Sequence, residues 1–335
     1  MSPPTTPATP GKHSQAIATP KLNNESKKLT KATTFDSIIW KWTRAMIVLD
    51  QDRRAWFVRN WWYVLSDGLL HVGAVVAFFH WSWSGFLAAI ILMQLLGPLG
   101  ITLGYHRLLT HRSFETFRVI RWILAVLGTL NWQGGPIEWV GTHRAHHAKA
   151  DHHGDPHTPK DGLIWAHLAW VMSPLAFDPS RYAKDLERDR GLLAIERLWF
   201  LFPVSFLFML YAVGEIFFNE GLSWLLWAGC VRSVLVLHAG WAVNSWTHRW
   251  GYRNFSTKDH STNSPTVAFL TAGEGWHNNH HAFPRSAAHG MFKGEFDLTY
   301  QFIRIMERLG LAWNVVHPDR YPLQERLIRG EKDAD

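Results

Sequence analysis

Residues 61–105 read WWYVLSDGLLHVGAVVAFFHWSWSGFLAAIILMQLLGPLGITLGY, and this stretch decides the fold. It contains no Lys or Arg, and Asp67 is its only acid. Its 45 residues exceed two membrane crossings of roughly 20 residues each. A turn is expected near His80–Trp83, where the apolar run is interrupted. We therefore predict a transmembrane hairpin with helices over about 61–80 and 84–105.

A second apolar stretch predicts a second hairpin over about 197–218 and 223–245, with Arg232 as its only internal cation. Basic residues precede the first hairpin and both turns lack them, so the positive-inside bias puts both termini on the cytoplasmic side. We predict an all-α integral membrane protein with four transmembrane helices. Segments 106–196 and 246–335 would form a cytoplasmic helical cap.

The apolar stretch 119–133 is too short for a comfortable crossing and contains Arg121. It ends at a Gly-Gly-Pro sequence over 134–136. We predict a helix that is buried in the protein or lies in the membrane interface.

Composition excludes several classes of protein. The 335 residues carry a net charge of +7, but the basic residues concentrate on the predicted cytoplasmic face, which removes the argument for a nucleic-acid partner. A single cysteine, Cys230, excludes an intrachain disulfide framework and cysteine-ligated metal clusters.

The first 34 residues are rich in Pro, Thr, Ser and Lys. Such a segment buries too little apolar surface to order itself, so we predict a disordered tail over 1–34 and the main domain over 35–335. Its acid-poor composition is also compatible with a transit peptide, although it contains no Arg.

Twenty histidines are present, and three clusters of them predict a metal site. In two clusters the spacing i, i+3, i+4 puts three imidazoles on one helical face. In the remaining cluster, two histidines five apart lie about 140° apart on an α-helix, so they share a face only if the helix ends or loosens there. Eight imidazoles exceed what one ion takes, which implies two ions, and imidazole suits zinc, copper, iron and nickel alike. The eight are His106, His111, His143, His146, His147, His277, His280 and His281.

The isolated histidines are interpreted as surface or core residues: His71, His80, His238, His260, His289 and His317. A metal transporter would place ligands within its crossings. Here the clusters follow the ends of crossings on one side, which favours a catalytic cap.

The order HxxxxH, HxxHH, HxxHH, separated by these hairpins, resembles the membrane fatty-acid desaturases. The strings at 104–107, 138–144, 155–157 and 273–283 are similar to the Δ9 (stearoyl-type) branch, with cyanobacterial and plant acyl-lipid members nearest. The resemblance runs from about residue 60 to 315. It implies a non-haem centre of two Fe ions that uses O₂ to remove two hydrogens and leave a cis double bond.

The resemblance also adds ligands. Residues 244–248 match the family's NSxxH element, which implies His248 as a ninth histidine ligand and Asn244 as a residue that reaches a metal through water. Ligating imidazoles need acceptors that fix their tautomers. Among the acids close in sequence, we predict Asp155 and Glu274 for this role and also weigh Glu138, Asp151 and Asp161.

The substrate slot is expected between the hairpins and the short buried helix. Trp132, Gln133 and Trp139 are the candidate lining residues, and Gln133 beside Gly134 is a candidate for the bend in the acyl chain.

Acyl-CoA members from animals carry an Arg-Asp pair where this chain has Gly141 and Thr142. This departure favours a saturated C16 or C18 chain esterified to a glycerolipid. An acyl-CoA Δ9 desaturase and a related di-iron membrane hydroxylase are the alternatives.

The sequence lacks a His-Pro-Gly-Gly haem motif and any cysteine cluster, so electrons are expected from a separate carrier. The resemblance implies ferredoxin or cytochrome b5 for this carrier. It also implies a multi-pass protein of a cyanobacterial plasma or thylakoid membrane, or of a plastid or endoplasmic reticulum membrane in a eukaryote.

Overall fold

The computed structural model describes residues 51–173 and 177–328. The tail predicted over 1–34 therefore lies outside the described residues. The described part is mostly helical, with one two-stranded antiparallel ribbon that pairs Glu115–Thr116 with Ala312–Trp313. The elements are α1 (Gln51–Ala77), α2 (Trp83–Leu96, continued by a π-helix over Gly97–Thr110), β1 (Glu115–Thr116), α3 (Arg118–Thr129), α4 (Pro136–Lys149), a π-helical turn (Trp165–Ala169), α5 (Arg190–Leu198), α6 (Leu201–Phe218), α7 (Gly221–Trp224, π-helical over Leu225–Val231, then Arg232–Ser245), α8 (Pro265–Leu270), α9 (His277–Ala282), α10 (Leu298–Arg308), β2 (Ala312–Trp313) and α11 (Leu323–Arg326).

Within the described residues, three helices are long and apolar enough to cross a membrane. They are Trp83–Thr110, Leu201–Phe218 and Gly221–Ser245, which coincide with three of the four predicted crossings. The apolar part of α1 is shorter and covers Tyr63–Ala77. Ser82 caps the start of α2 by accepting a hydrogen bond from the amide of Gly85, at the turn that the sequence predicts.

The short apolar stretch forms the 12-residue helix α3, which is too short to cross a membrane. One face of α3 packs tightly against the π-helix that continues α2. A Cβ added at Gly100 would lie 2.5 Å from the backbone of Leu127, and one at Gly128 would lie 2.3 Å from the Tyr105 ring. Glycine is therefore required at this contact, because any side chain would push the two helices apart. The opposite face exposes Val119 and Ile123.

A fully buried arginine in α7 joins three helices. Arg232 donates hydrogen bonds to the carbonyl of Leu130, at the end of α3, and to the side-chain oxygen of Asn131. Asn131 in turn donates to the carbonyl of Leu96 in α2, at 3.0 Å. The guanidinium thus lies at the negative end of the α3 dipole. This network fixes the chain just before it reaches Trp132.

A second arginine fastens α4 to the end of the π-helix. Arg144 donates to the carbonyls of Leu109 and Thr110 and to the carboxylate of Asp185. The last turn of a helix has carbonyls without helical partners, and this side chain satisfies two of them. As a result, the histidines at the end of α2 and those on α4 are held side by side.

Candidate metal centre

Nine histidines converge into two groups. In each group every residue offers a ring nitrogen within 4.8 Å of all the others. The closest nitrogens are Nε2 of His147 and His280, 2.9 Å apart, in the first group, and Nε2 of His248 and His277, also 2.9 Å apart, in the second. The first group is His106, His111, His143, His147 and His280, and the second is His146, His248, His277 and His281.

The two HxxHH motifs each supply both groups. On α4, His143 and His147 turn to the first group and His146 to the second. The division on α9 is the reverse, with one histidine in the first group and two in the second. Both motifs lie on helices, as their spacing predicts. Because residues three and four apart lie next to each other on a helical face, two short helices can supply ligands to two adjacent metal sites.

The two histidines of the HxxxxH motif are brought together by a π-helical turn. The amide of His111 donates to the carbonyl of His106 at 3.1 Å, the i to i+5 hydrogen bond of a π-turn. This widened turn brings the two rings to 4.8 Å between centroids, although an α-helix would separate them around the helix. The helix is therefore widened between His106 and His111, as the five-residue spacing of this motif requires.

Carboxylates hold the outer nitrogens of four of these histidines. Nδ1 of His106 bonds to Glu274. The other pairs join His146 to Asp155 at 2.9 Å, His248 to Asp151 at 2.9 Å and His281 to Asp259 at 3.0 Å. An ionised carboxylate only accepts, so each Nδ1 carries the hydrogen and each Nε2 directs a lone pair into its group.

The predicted acceptors Asp155 and Glu274 thus contact histidines of the two groups. Asp151, which the sequence only offered as a candidate, does the same. Asp259 was missed, although it follows His248 by only 11 residues. Glu138 instead accepts from the hydroxyl of Tyr63, and Asp161 is exposed.

Burial sets the charge state of the centre. It lowers the pKa of His143, His147, His277 and His280 well below the usual range, and it lowers the pKa of His281 to about 4 against the opposing pull of Asp259. For Asp151, burial favours the neutral acid, but the hydrogen bond with His248 outweighs it and lowers the pKa to about 2. These five imidazoles are therefore neutral, and the Asp151 carboxylate is ionised, at physiological pH.

These residues fit metal ions. In each group, the histidines that carry their hydrogen on the outer Nδ1 direct a bare Nε2 lone pair towards the other rings. No hydrogen lies between two such Nε2 atoms. Such a donor set binds first-row transition metals, and a bound ion would satisfy Nε2 of His111, which lies buried without a hydrogen-bond partner.

A cavity of about 170 Å³ runs from the histidines between α2 and α7. His143, His277 and Asn244 line it at one end, and Met93 and Val236, farther back along their helices, also line it. Most of the other lining side chains are apolar. The candidate residues Trp132, Gln133 and Trp139 all contribute to the wall.

The part of the cavity wall around Gln133 is a turn with positive φ angles. Trp139 donates its indole hydrogen to Gln133 at 3.0 Å, while Trp132 and Gly134 adopt positive φ angles of 61° and 91°. A Cβ at Gly134 would lie 2.6 Å from the hydroxyl of Tyr63. A substitution at Gly134 would therefore strain the turn itself, and Gln133 and Trp139 are the better positions for testing the wall.

Another histidine lies against the first group, although its sequence context gave no sign of it. His289 is fully buried, its ring centroid is 4.4 Å from that of His280, and its Nδ1 is 3.5 Å from Glu274. By contrast, His71 and His238 bond to each other at 3.0 Å and belong to neither group.

Comparison with known proteins identifies the family. The family model described as Fatty acid desaturase matches residues 81–290. An sn-1 stearoyl-lipid 9-desaturase of Anabaena variabilis is 43% identical over 265 residues, covering 78% of this chain and 95% of the relative. An sn-2 palmitoyl-lipid 9-desaturase of Nostoc sp. is 39% identical, covering 77% and 90%. An icosanoyl-CoA 5-desaturase of Limnanthes douglasii is 34% identical, covering 94% and 89%.

The match spans both HxxHH motifs, the HxxxxH motif and the helices that carry them. The resemblance seen in the histidine pattern is confirmed, and the chain belongs to the fatty acid desaturase family.

Proposed function

We propose that the chain is an O₂-dependent Δ9 desaturase that places a cis double bond in a saturated C16 or C18 chain esterified to a glycerolipid. One observation carries this proposal: histidines of both groups line a largely apolar cavity. The 9-desaturases among the relatives support the position of the double bond and the lipid substrate.

Two Fe ions are the proposed metals, one for each group of histidines. Asn244 would complete the second group through a water molecule, because it lines the same cavity as His277 of that group. Reduced iron and O₂ together supply an oxidant strong enough to remove hydrogen from an alkyl chain, which no side chain can do. Removal of two hydrogens, with two electrons and two protons supplied from outside, reduces O₂ to two water molecules.

The protein's own part is geometric and electrostatic. Asp155, Asp151, Asp259 and Glu274 hold the outer protons of their histidines, so that the inner lone pairs keep one direction. The cavity excludes water from the alkyl chain and fixes which carbons lie next to the histidines.

The proposed topology has four crossings, α1, α2, α6 and α7, with both termini and the metal centre on the cytoplasmic side. Large exposed apolar side chains on α1, such as Leu69 and Val72, support a lipid-facing role for that helix. The basic residues concentrate on one predicted side, as the positive-inside bias requires. The cyanobacterial relatives favour a plasma or thylakoid membrane, and the chloroplast relatives favour a plastid.

Packing supports a lipid substrate over acyl-CoA. A Cβ at Gly141 would lie 2.1 Å from the carbonyl oxygen of Pro179, so this backbone has no room for an arginine there. The icosanoyl-CoA relative keeps an acyl-CoA substrate as the second candidate. Ferredoxin or cytochrome b5 is the proposed electron donor, as the family resemblance implies.

The test is expression in a host that lacks its own desaturase, with ferredoxin coexpressed and fatty-acid esters analysed by gas chromatography and mass spectrometry. We expect a new cis-Δ9 monoene in glycerolipids, absent with His280→Ala and retained with His317→Ala. A product that appears first in the acyl-CoA pool would favour the second candidate. A hydroxylated product, or none despite metal-loaded protein, would contradict desaturation.

A further inference from the structure

His289 is the strongest unexplained group near the metal centre. It is fully buried, and neither ring nitrogen has a hydrogen-bond partner. Buried polar groups are nearly always satisfied, so a histidine in this state points to a contact that forms only when the site is filled.

The backbone around His289 is held on both sides. Its amide donates to the carboxylate of Asp297 at 2.7 Å, and its carbonyl accepts from the side chain of Asn279 at 2.9 Å. Asn279 lies in α9 directly before His280, so the position of the His289 ring is coupled to the helix that carries this histidine.

Among the histidines of the first group, His280 stands out because its Nδ1 is buried without an acceptor. For His106, Glu274 is the acceptor at Nδ1. The ring next to His280 is that of His289, whose centroid lies 4.4 Å from that of His280 with an interplanar angle of 40°. A ligating imidazole needs an acceptor at its outer nitrogen to fix its tautomer and orientation.

We propose that His289 positions His280 as a metal ligand: Nε2 of His289 accepts the Nδ1 hydrogen of His280 when the first group holds its ion. Nδ1 of His289 then keeps its own hydrogen and directs it to Glu274, whose nearest oxygen is 3.5 Å away. Arg107 holds this carboxylate in place from the other side. Two ligands, His106 and His280, thereby share one buried carboxylate, one directly and the other through His289.

This inference rests on the two-metal centre of the proposed function, but its test measures metal binding and needs no turnover. Full-length protein in detergent is stripped of metal and titrated with Co²⁺, and the absorption of bound Co²⁺ is followed for two binding steps. His289→Leu has a similar volume and no acceptor, whereas His289→Gln keeps one.

We expect His289→Leu to weaken one of the two Co²⁺ steps by about 10- to 100-fold, as loss of an outer partner of a ligand typically does. His289→Gln should recover most of that loss. The proposal is overturned if both variants bind like the wild type, or if both steps weaken equally in both variants, which would indicate a role in folding alone. Two Co²⁺ ions bound by a wild type that makes no desaturated product would contradict the proposed reaction and leave the role of His289 standing. A wild type that binds no Co²⁺ would overturn the metal centre and, with it, this role.

Discussion

Oδ2 of Asp259 lies 3.0 Å from Nδ1 of His281, on the outer side of the second histidine group. The same carboxylate accepts hydrogen bonds from the amide of Ser261 and the hydroxyl of Thr257, which hold it in place. Asp259 is therefore a prearranged acceptor, and it gives the clearest test of whether the carboxylates matter to metal binding.

Asp259→Asn keeps the shape of the side chain and removes its charge. We expect metal affinity at one site to fall by about 10- to 100-fold, with a parallel loss of product, because His281 loses its ionised acceptor. Metal content after dialysis is the measurement. Asp161→Asn is the control, since Asp161 is exposed, and an equal loss in both variants would contradict the assignment.

The contact between α3 and the π-helix predicts a large effect from one methyl group. At Gly100 an added Cβ would lie 2.5 Å from backbone atoms of Leu127, whereas at Gly97 its nearest neighbour would be a side-chain carbon of Val236 at 3.9 Å. Gly100→Ala should therefore destabilise the protein by about 1–3 kcal/mol, because backbone cannot move aside as a side chain can. Thermal unfolding in detergent should show a lower midpoint for Gly100→Ala than for Gly97→Ala, and equal midpoints would refute the tight contact.

The cavity predicts a change in chain-length preference. Val236 lines it 12 positions before His248, so Val236→Phe should shorten the space for the methyl end of the substrate. We expect the product to shift from C18 towards C16 without a shift in the position of the double bond. Leu95→Phe, on an exposed part of α2, is the control. An unchanged product profile would mean that the acyl chain does not extend to Val236.

The lowered pKa values of the histidines predict how the metal-free protein responds to acid. Between pH 6.5 and about 4 the unfolded chain takes up protons on its histidines, whereas buried residues such as His281, with a pKa of about 4, stay neutral. The unfolded state then binds more protons, so the free energy of unfolding falls as the pH falls. Asp151, with a pKa of about 2 in the folded protein, remains ionised throughout this range.

Thermal midpoints of the stripped protein at pH 7.5, 6.5, 5.5 and 4.5 check this expectation. They should begin to drop between pH 7.5 and 6.5, where the unfolded histidines start to take up protons, and drop more steeply below pH 6.5. His281→Gln removes one titrating group and should give a shallower drop. A level profile down to pH 4.5 would show that the histidines are accessible to protons in the folded state.

Much of the architecture could be predicted because it follows from local pattern. The HxxHH spacing requires a helix to bring its histidines to one face, and α4 and α9 provide one each. The long apolar stretches likewise match the helices Trp83–Thr110, Leu201–Phe218 and Gly221–Ser245. These features depend on residues close together in the chain.

The remainder depends on contacts between distant segments. Asp259 meets His281 only because the segment after α7 folds back over α9, and no local spacing encodes that return. The π-turn that joins His106 and His111 is likewise stabilised from outside, where Arg144 binds the carbonyls that end it. His289 lies in the core, as an isolated histidine often does, but its two ring nitrogens have no hydrogen-bond partner there, and no local pattern indicates that.

The arginine buried in α7 bears on how the protein is assembled during synthesis. A charged residue near the centre of a membrane helix costs about 2.5–3.5 kcal/mol to insert alone. The oxygens of Leu130 and Asn131 that receive Arg232 belong to a segment made about a hundred residues earlier. These acceptors have therefore already been synthesised when α7 leaves the ribosome. The helix can then pack against them as it inserts, so that Arg232 is not exposed to lipid without a hydrogen-bond partner.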